Sequence, residues 1–205
     1  MHKKLVIIGA SGHGKVVADI ALKLRRYDEI VFLDDNEKVK SCMNFPVVGK
    51  GSDAKYYVDE ADFFVAIGND EIRKKVTEQL KTIHATITTL VHPMAAIGHN
   101  VAIGEGTVVV AGAVINSECT IGQACIINTC ASVDHDCTLG DYVHVSVGAH
   151  VCGTVKVGKN TWIGAGATIS NNLNVCESCV IGVGAAVIND IEEAGTYVGV
   201  PARRL

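Results

Sequence analysis

From position 97 to position 192 the chain repeats an apolar residue every sixth place, sixteen times without an insertion. Ile97, Ile103, Val109, Ile115, Ile121, Ile127 and Val133 begin the series, and Val175, Ile181 and Val187 end it; every first position is Ile, Val or Leu. The fifth positions repeat too, and all are apolar or small, as at Ala113, Cys119, Cys125, Ala131, Cys137 and Ala149. Glycine often follows the aliphatic residue, at Gly98, Gly104, Gly122, Gly140, Gly158, Gly164 and Gly182. An amphipathic helix would repeat every three to four residues and a long strand every two. A period of six predicts short strands, each one flat side of a coil, which is the signature of a parallel β-helix. With three hexads per coil, residues eighteen apart stack at about 4.8 Å, the spacing between neighbouring strands.

The pattern before position 91 is different. Apolar runs at Lys4–Ile8, 30–33, 47–49, 63–67 and 87–91 read as strands, and they alternate with helical stretches from Val16 to Leu24, over 52–58 and over Asp70–Thr82. Such alternation predicts a parallel sheet with helices. The fold expected is therefore a small Rossmann-like α/β domain, residues 1–90, followed by an all-β helix over 91–205. The first strand runs into Gly9-Ala10-Ser11-Gly12-His13-Gly14 and then a helix. Backbone N–H groups at a helix start favour anions, and glycine lets a phosphate approach closely. The same glycines equally suit a plain tight turn. Asp34 and Asp35, ending the next strand, could hold a ribose or sugar hydroxyl. The spacing is Gly-x-x-Gly-x-Gly rather than the dinucleotide Gly-x-Gly-x-x-Gly, and ninety residues make one half of a doubly wound fold. A mononucleotide or nucleotide-sugar fits better than NAD.

Composition narrows the choice further. The 205 residues are 48% hydrophobic but 5% aromatic, which suits a narrow core of small branched side chains. A net charge of −4 gives no basic footprint for nucleic acid. The opening Met1-His2-Lys3-Lys4 is followed by too short an apolar run for a signal peptide. No run is long enough to span a membrane. A cytoplasmic protein is expected. Of eight cysteines, Cys119, Cys125, Cys137 and Cys179 occupy fifth positions and read as buried small residues. Cys176-Glu177-Ser178-Cys179 is a lone CxxC, with no second pair to complete a zinc site.

One histidine has chemical promise. His135 lies between Asp134 and Asp136, one coil above Ser117 and one below Gly153. A carboxylate on a solvent-side imidazole fixes its tautomer and raises its basicity, so His135 is a candidate general base. The other rod histidines lack the His-x4-His spacing of a zinc hydratase of the gamma-carbonic anhydrase type. No metal is expected.

The hexads, with the tail Gly199-Val200-Pro201-Ala202, resemble the hexapeptide-repeat acyltransferases. Gly9-Ala10-Ser11-Gly12-His13-Gly14, Phe32-Leu33-Asp34-Asp35, Ala66-Ile67-Gly68-Asn69, Val133-Asp134-His135-Asp136-Cys137 and His144-Val145-Ser146-Val147-Gly148-Ala149 resemble, more closely, the acetyltransferases of UDP-4-amino-sugars and of sialic acid. That resemblance implies a left-handed coil, where the general crossover rule favours the right hand. It also implies a homotrimer with active sites between subunits. It implies His135 as base, Asp136 as its helper and Gly153 as the N–H donor near the thioester oxygen. His144, Ala165 and Val183 fall at acetyl-CoA contacts, with Val183 standing where a relative has Gly. Ser11, Gly12, His13, Asp34, Asp35, Gly68 and Asn69 fall at nucleotide-sugar contacts. The expected reaction is direct N-acetylation of a nucleotide-linked amino-sugar. Two other readings stay open: O-acetylation of a sugar hydroxyl, and a nucleotide-sugar-binding protein without catalysis.

Overall fold

The computed structural model describes residues 3–205, so Met1 and His2 of the basic opening lie outside it. The described residues divide into two compact units, one ending at Pro93 and one over Met94–Leu205.

In the first unit, β1 (Lys4–Ile8) leads into α1 (Gly12–Leu24), followed by β2 (Glu29–Leu33), β3 (Ser41–Cys42), β4 (Phe45–Gly49), β5 (Ala61–Val65), α2 (Asp70–Thr82) and β6 (Thr86–Ile87). The sheet order is β3-β4-β2-β1-β5-β6, parallel except for the β3–β4 hairpin. β1 is central, and its Leu5 to Ile8 are buried. One layer of the core joins Val6, Ile8, Val31, Leu33, Phe63, Val65 and Leu80. Fully burying an aliphatic or Phe side chain contributes about 1.5–3 kcal/mol. α2 starts at a side-chain cap, with Asn69 Oδ1 accepting from the Ile72 N–H at 2.9 Å. Asp70 and Glu71 in its first turn complement the helix dipole.

Three local expectations are corrected. The strand expected over 63–67 is Ala61–Val65, because the buried Asp62 belongs to it and takes a hydrogen bond from Tyr27 Oη at 3.1 Å. A satisfied buried acid breaks an apolar run without breaking a strand. The helix over 52–58 is a 3-10 segment, Gly51–Tyr56. The single strand over 87–91 is two short ones, Thr86–Ile87 and Leu90–Val91.

The second unit is the expected prism. Its strands are nearly all two residues long, and their partners lie eighteen residues on, as in Ile97–Ile115–Val133–Val151–Ile169–Val187. First-position residues from Val109 to Val187 are buried. Every fourth position from Asn100 to Gly184 takes a left-handed φ, whether Gly or not, and this turns each corner. The second-position glycines answer a different need. A Cβ on Gly98, Gly104, Gly122 or Gly140 would come within about 2.6 Å of the next coil's backbone. Inside the corners, fifth-position side chains bind the coil above. Cys119, Cys125 and Cys137 donate to the carbonyls of Asp134, Gly140 and Cys152 at 2.9, 3.2 and 3.1 Å. Thr107 and Thr161 do the same to Gly122 and Cys176. The rod ends with the strand Gly195–Val198 parallel to Cys179–Ile181, then Arg203–Arg204 antiparallel to it.

Candidate active site

His135 follows the strand Ser132–Val133 at a corner of the prism. Its imidazole is 57% exposed, and its Nδ1 lies 2.7 Å from Asp136 Oδ2. Asp136 is the fourth residue of its hexad, so the left-handed φ of 59° that turns the corner also aims its carboxylate back at the ring. Asp134 Oδ1 accepts from the His135 N–H at 2.9 Å and from Asn116 Nδ2 at 2.7 Å. The hydrogen bond to Asp136, followed by the charge of Asp134, raises the His135 pKa above its ordinary value. The bond from Asn116, then that from the His135 backbone, holds Asp134 below the usual carboxylate range. With Nδ1–H donated to Asp136, the basic lone pair sits on Nε2.

Gly153, one coil on, is the surface against which this ring lies. A Cβ there would stand 2.7 Å from both Cε1 and Nε2 of His135. Glycine at this position is required by the imidazole itself.

The other three rod candidates lie elsewhere on the prism. His144 projects from the strand His144–Val145, in a different sheet from Val133, between Ile126 and Trp162. Asn128 Nδ2 is 3.2 Å from its Nε2, which therefore acts as acceptor. Ala165 and Val183 belong to the corner after that sheet and stack with Val147. Val147 and Val183 are 51% and 71% exposed. Val147, Ala165 and Val183 make this stretch of the edge apolar. One edge thus carries His135 and Gly153, and another carries Ala165 and Val183.

In the first unit a cavity of about 880 Å³ opens at the C-terminal ends of β1, β2 and β5. Gly9, Ser11, Asp34, Asp35, Ile67 and Gly68 line it, with Lys50, Lys55 and Lys75 around them. Ligands of open α/β sheets bind at this end of the strands. Each acid also has a structural task. Asp34 Oδ2 accepts from the Ala10 N–H at 2.7 Å and its Oδ1 from Asn36 at 2.8 Å, while Asp35 Oδ1 accepts from Gly51 at 2.9 Å. The glycines divide by role. A Cβ on Gly14 would collide with the Gly9 carbonyl oxygen, and one on Gly9 would lie 2.8 Å from the Ala66 carbonyl oxygen. Gly68 has open space beside it.

Gly12, His13 and Asn69 do not line the cavity; Asn69 is the cap of α2. His13 Nε2 is buried, and burial with the neighbouring Arg73 charge lowers its pKa to about 4, so the ring is neutral. Arg73 itself escaped the sequence reading. It is 1% exposed, and its guanidinium donates to the carbonyls of Ile67 and Gly68 at 3.0 and 2.8 Å, fixing the rim of the cavity. Its signal was its spacing: Arg73, Thr77 and Leu80 are the buried face of α2.

Residues 4–80 match the family model of the PglD N-terminal domain. The UDP-N-acetylbacillosamine N-acetyltransferase of Bacillus subtilis (strain 168) is 34% identical over 113 residues, 53% of this chain and 52% of that protein; the match spans about half the length of that relative. The solved acetyltransferase domain of PglB from Neisseria gonorrhoeae FA1090 is 39% identical, with a TM-score of 0.97 and full coverage of both chains. The same domain is also solved with acetyl coenzyme A. PerB from Caulobacter crescentus, solved with CoA and GDP-perosamine, is 31% identical, with a TM-score of 0.94 over 98% of this chain and 97% of that one. The likeness covers the α/β unit and the left-handed β-helix alike.

Proposed function

This chain belongs to the PglB-type hexapeptide-repeat sugar acetyltransferases, and from that premise we propose that it transfers acetyl from acetyl-CoA to the 4-amino group of a UDP-linked amino-sugar, with His135 as general base. The observation that carries this reading is the His135 imidazole seated on Gly153, with Asp136 on Nδ1. In that arrangement Nε2 takes a proton from the attacking amine as its lone pair reaches the thioester carbon. The Gly153 N–H receives the charge that develops on the carbonyl oxygen; such a donor is typically worth about 3 kcal/mol. The tetrahedral centre collapses, the coenzyme A sulfur leaves, and the imidazolium returns its proton to it. The acyl passes directly from sulfur to nitrogen, with no acyl-enzyme. Cys137, two residues from the base, is engaged elsewhere: its thiol donates to the Cys152 carbonyl at 3.1 Å, and burial pushes it up to about 11.

The nucleotide is assigned to the cavity of the first unit. Lys50, Lys55 and Lys75 supply positive charge for a diphosphate, and Asp35 offers an acceptor for a hydroxyl. The acyl donor is assigned to His144, Ala165 and Val183. Those residues and the His135–Gly153 pair occupy separate edges of one prism, so both halves of a site meet only where two copies stand side by side. A homotrimer with its clefts between subunits supplies that arrangement.

The test is release of free coenzyme A thiol from acetyl-CoA across a panel of UDP- and GDP-amino-sugars and sialic acid. UDP-4-amino-sugars are expected to turn over fastest. His135→Ala is expected to lower kcat by roughly 10²–10⁴-fold with the oligomer intact. Normal turnover in that variant, or preference for a sugar hydroxyl, overturns the reading.

A further inference from the structure

The acetyl transfer just described leaves Cys176 and Cys179 unused, and their surroundings depart from the repeat in a coordinated way. Cys179 occupies a fifth position, in the column Thr107, Cys125, Val143 and Thr161. Lower in that column the polar side chains donate to a carbonyl of the next coil, Thr107 at 2.9 Å, Cys125 at 3.2 Å and Thr161 at 3.2 Å. At Cys179 the coil above is replaced by the tail. Its sulfur is left 3.7 Å from the Glu177 carbonyl and 3.9 Å from the Glu193 carbonyl.

Cys176 departs from its own column as well. Gly104, Gly122, Gly140 and Gly158 precede it there, each with the next coil's backbone too close for a Cβ. At the last coil that crowding ends, and a cysteine stands where glycine stood. Its sulfur lies 3.4 Å from that of Cys179. The two residues flank a corner whose Ser178 has a left-handed φ of 59°.

We propose that Cys176 and Cys179 form a reversible dithiol–disulfide site at the last coil, oxidised by small-molecule disulfides of the glutathione type. Cys176 is half-buried and reaches solvent, whereas Cys179 is buried. Burial, then the contact with Cys176, pushes the Cys179 thiol up to about 12. Cys176 is therefore the entry point, since the accessible thiolate attacks. Its sulfur displaces one thiol from the small disulfide and forms a mixed disulfide. Capping Cys176 removes its share of the contact that holds the Cys179 proton, and the Cys179 sulfur, losing that proton as it attacks the Cys176 sulfur, expels the second thiol. The two thiol hydrogens of the protein end on the two small thiols released, and the two sulfurs are joined. Among the described residues no other cysteine pair is seen at this distance, and Cys119, Cys125 and Cys137 spend their thiols on the next coil's carbonyls.

The full chain is held in glutathione buffers from reducing to oxidising, its free thiols are alkylated, and the peptides are mapped by mass spectrometry. The 176–179 peptide is expected to lose two hydrogens and both alkyl labels in a more reducing buffer than any other cysteine requires. Two variants use residues that neighbouring coils already carry. Cys179→Thr, with Thr as at 161, is expected to stop Cys176 at its glutathione adduct. Cys176→Gly, with Gly as at 158, is expected to leave Cys179 unmodified. Full alkylation of both cysteines in the most oxidising buffer overturns the proposal. So does a Cys179→Thr protein whose Cys176 pairs with a different cysteine, or a Cys176→Gly protein whose Cys179 still oxidises as readily.

Discussion

The two units present functional groups in opposite ways. In the α/β unit the candidate residues sit where regular structure stops, at the ends of β1, β2 and β5, and most of them also hold the fold. In the rod, regular structure does not stop; each corner repeats the one below. There the candidate site is a local substitution in a column, an imidazole against the glycine of the next coil. A cavity built from loop ends shares its residues between binding and folding. A repeat frees nearly all of its outward positions, so a single pair can be given to chemistry at little cost to stability.

That contrast can be broken most forcefully at Gly153. Gly153→Ala puts a methyl where the His135 ring lies, and a displacement on the order of 1 Å costs about 10²-fold in rate. kcat is expected to fall by about that factor while the thermal midpoint stays near that of the parent. A large loss of stability with unchanged kcat would make this glycine one more piece of the scaffold.

Gly14 is the counterpart in the first unit. Gly14→Ala drives a Cβ into the Gly9 carbonyl and is expected to destabilise that unit by about 1–3 kcal/mol, read from denaturant unfolding. Unchanged stability with weakened nucleotide affinity would instead assign Gly14 to the ligand.

The smallest effect expected is at Asp136. Its hydrogen bond is the largest contribution holding the His135 pKa above the ordinary 6.5. If His135 is the base it works deprotonated, so activity is expected to rise with pH through a midpoint above that value. Asp136→Asn is expected to move the midpoint of kcat/KM to lower pH. By the same sign, the bond to the imidazolium stabilises the fold below the ordinary pKa and stops doing so as pH climbs through the raised one. A midpoint that stays in place removes Asp136 from its role as helper.

Much of the rod was legible because its inward positions permit few residue types. Ile, Val and Leu at the first position and small residues at the fifth leave a period that no other architecture explains. The corner was legible only in part. Of the fifteen fourth positions with left-handed φ, nine hold Gly, Asn or Asp, the residues that tolerate it. At Glu118, Ala124, Cys130, Tyr142, Thr154 and Ser178 closure of the coil imposes that conformation on side chains that do not favour it. In the α/β unit, Asp34 and Asp35 were readable as acids at a strand end, but their bonds to Ala10 and Gly51 depend on loops distant in sequence. Arg73 reads as one more charge on a charged helix, and its burial follows from two carbonyls five and six residues before it.

The strand pair beyond the last coil bears on how one rod could meet another. A stack of parallel coils finishes on a row of unpaired backbone groups, a template onto which another molecule could add its own first coil. Here the chain doubles back, and Arg203–Arg204 pair antiparallel with Gly195–Val198. The reversed direction interrupts the parallel register, and two guanidinium groups occupy the terrace. Head-to-tail growth onto that terrace is thereby discouraged by Arg203 and Arg204.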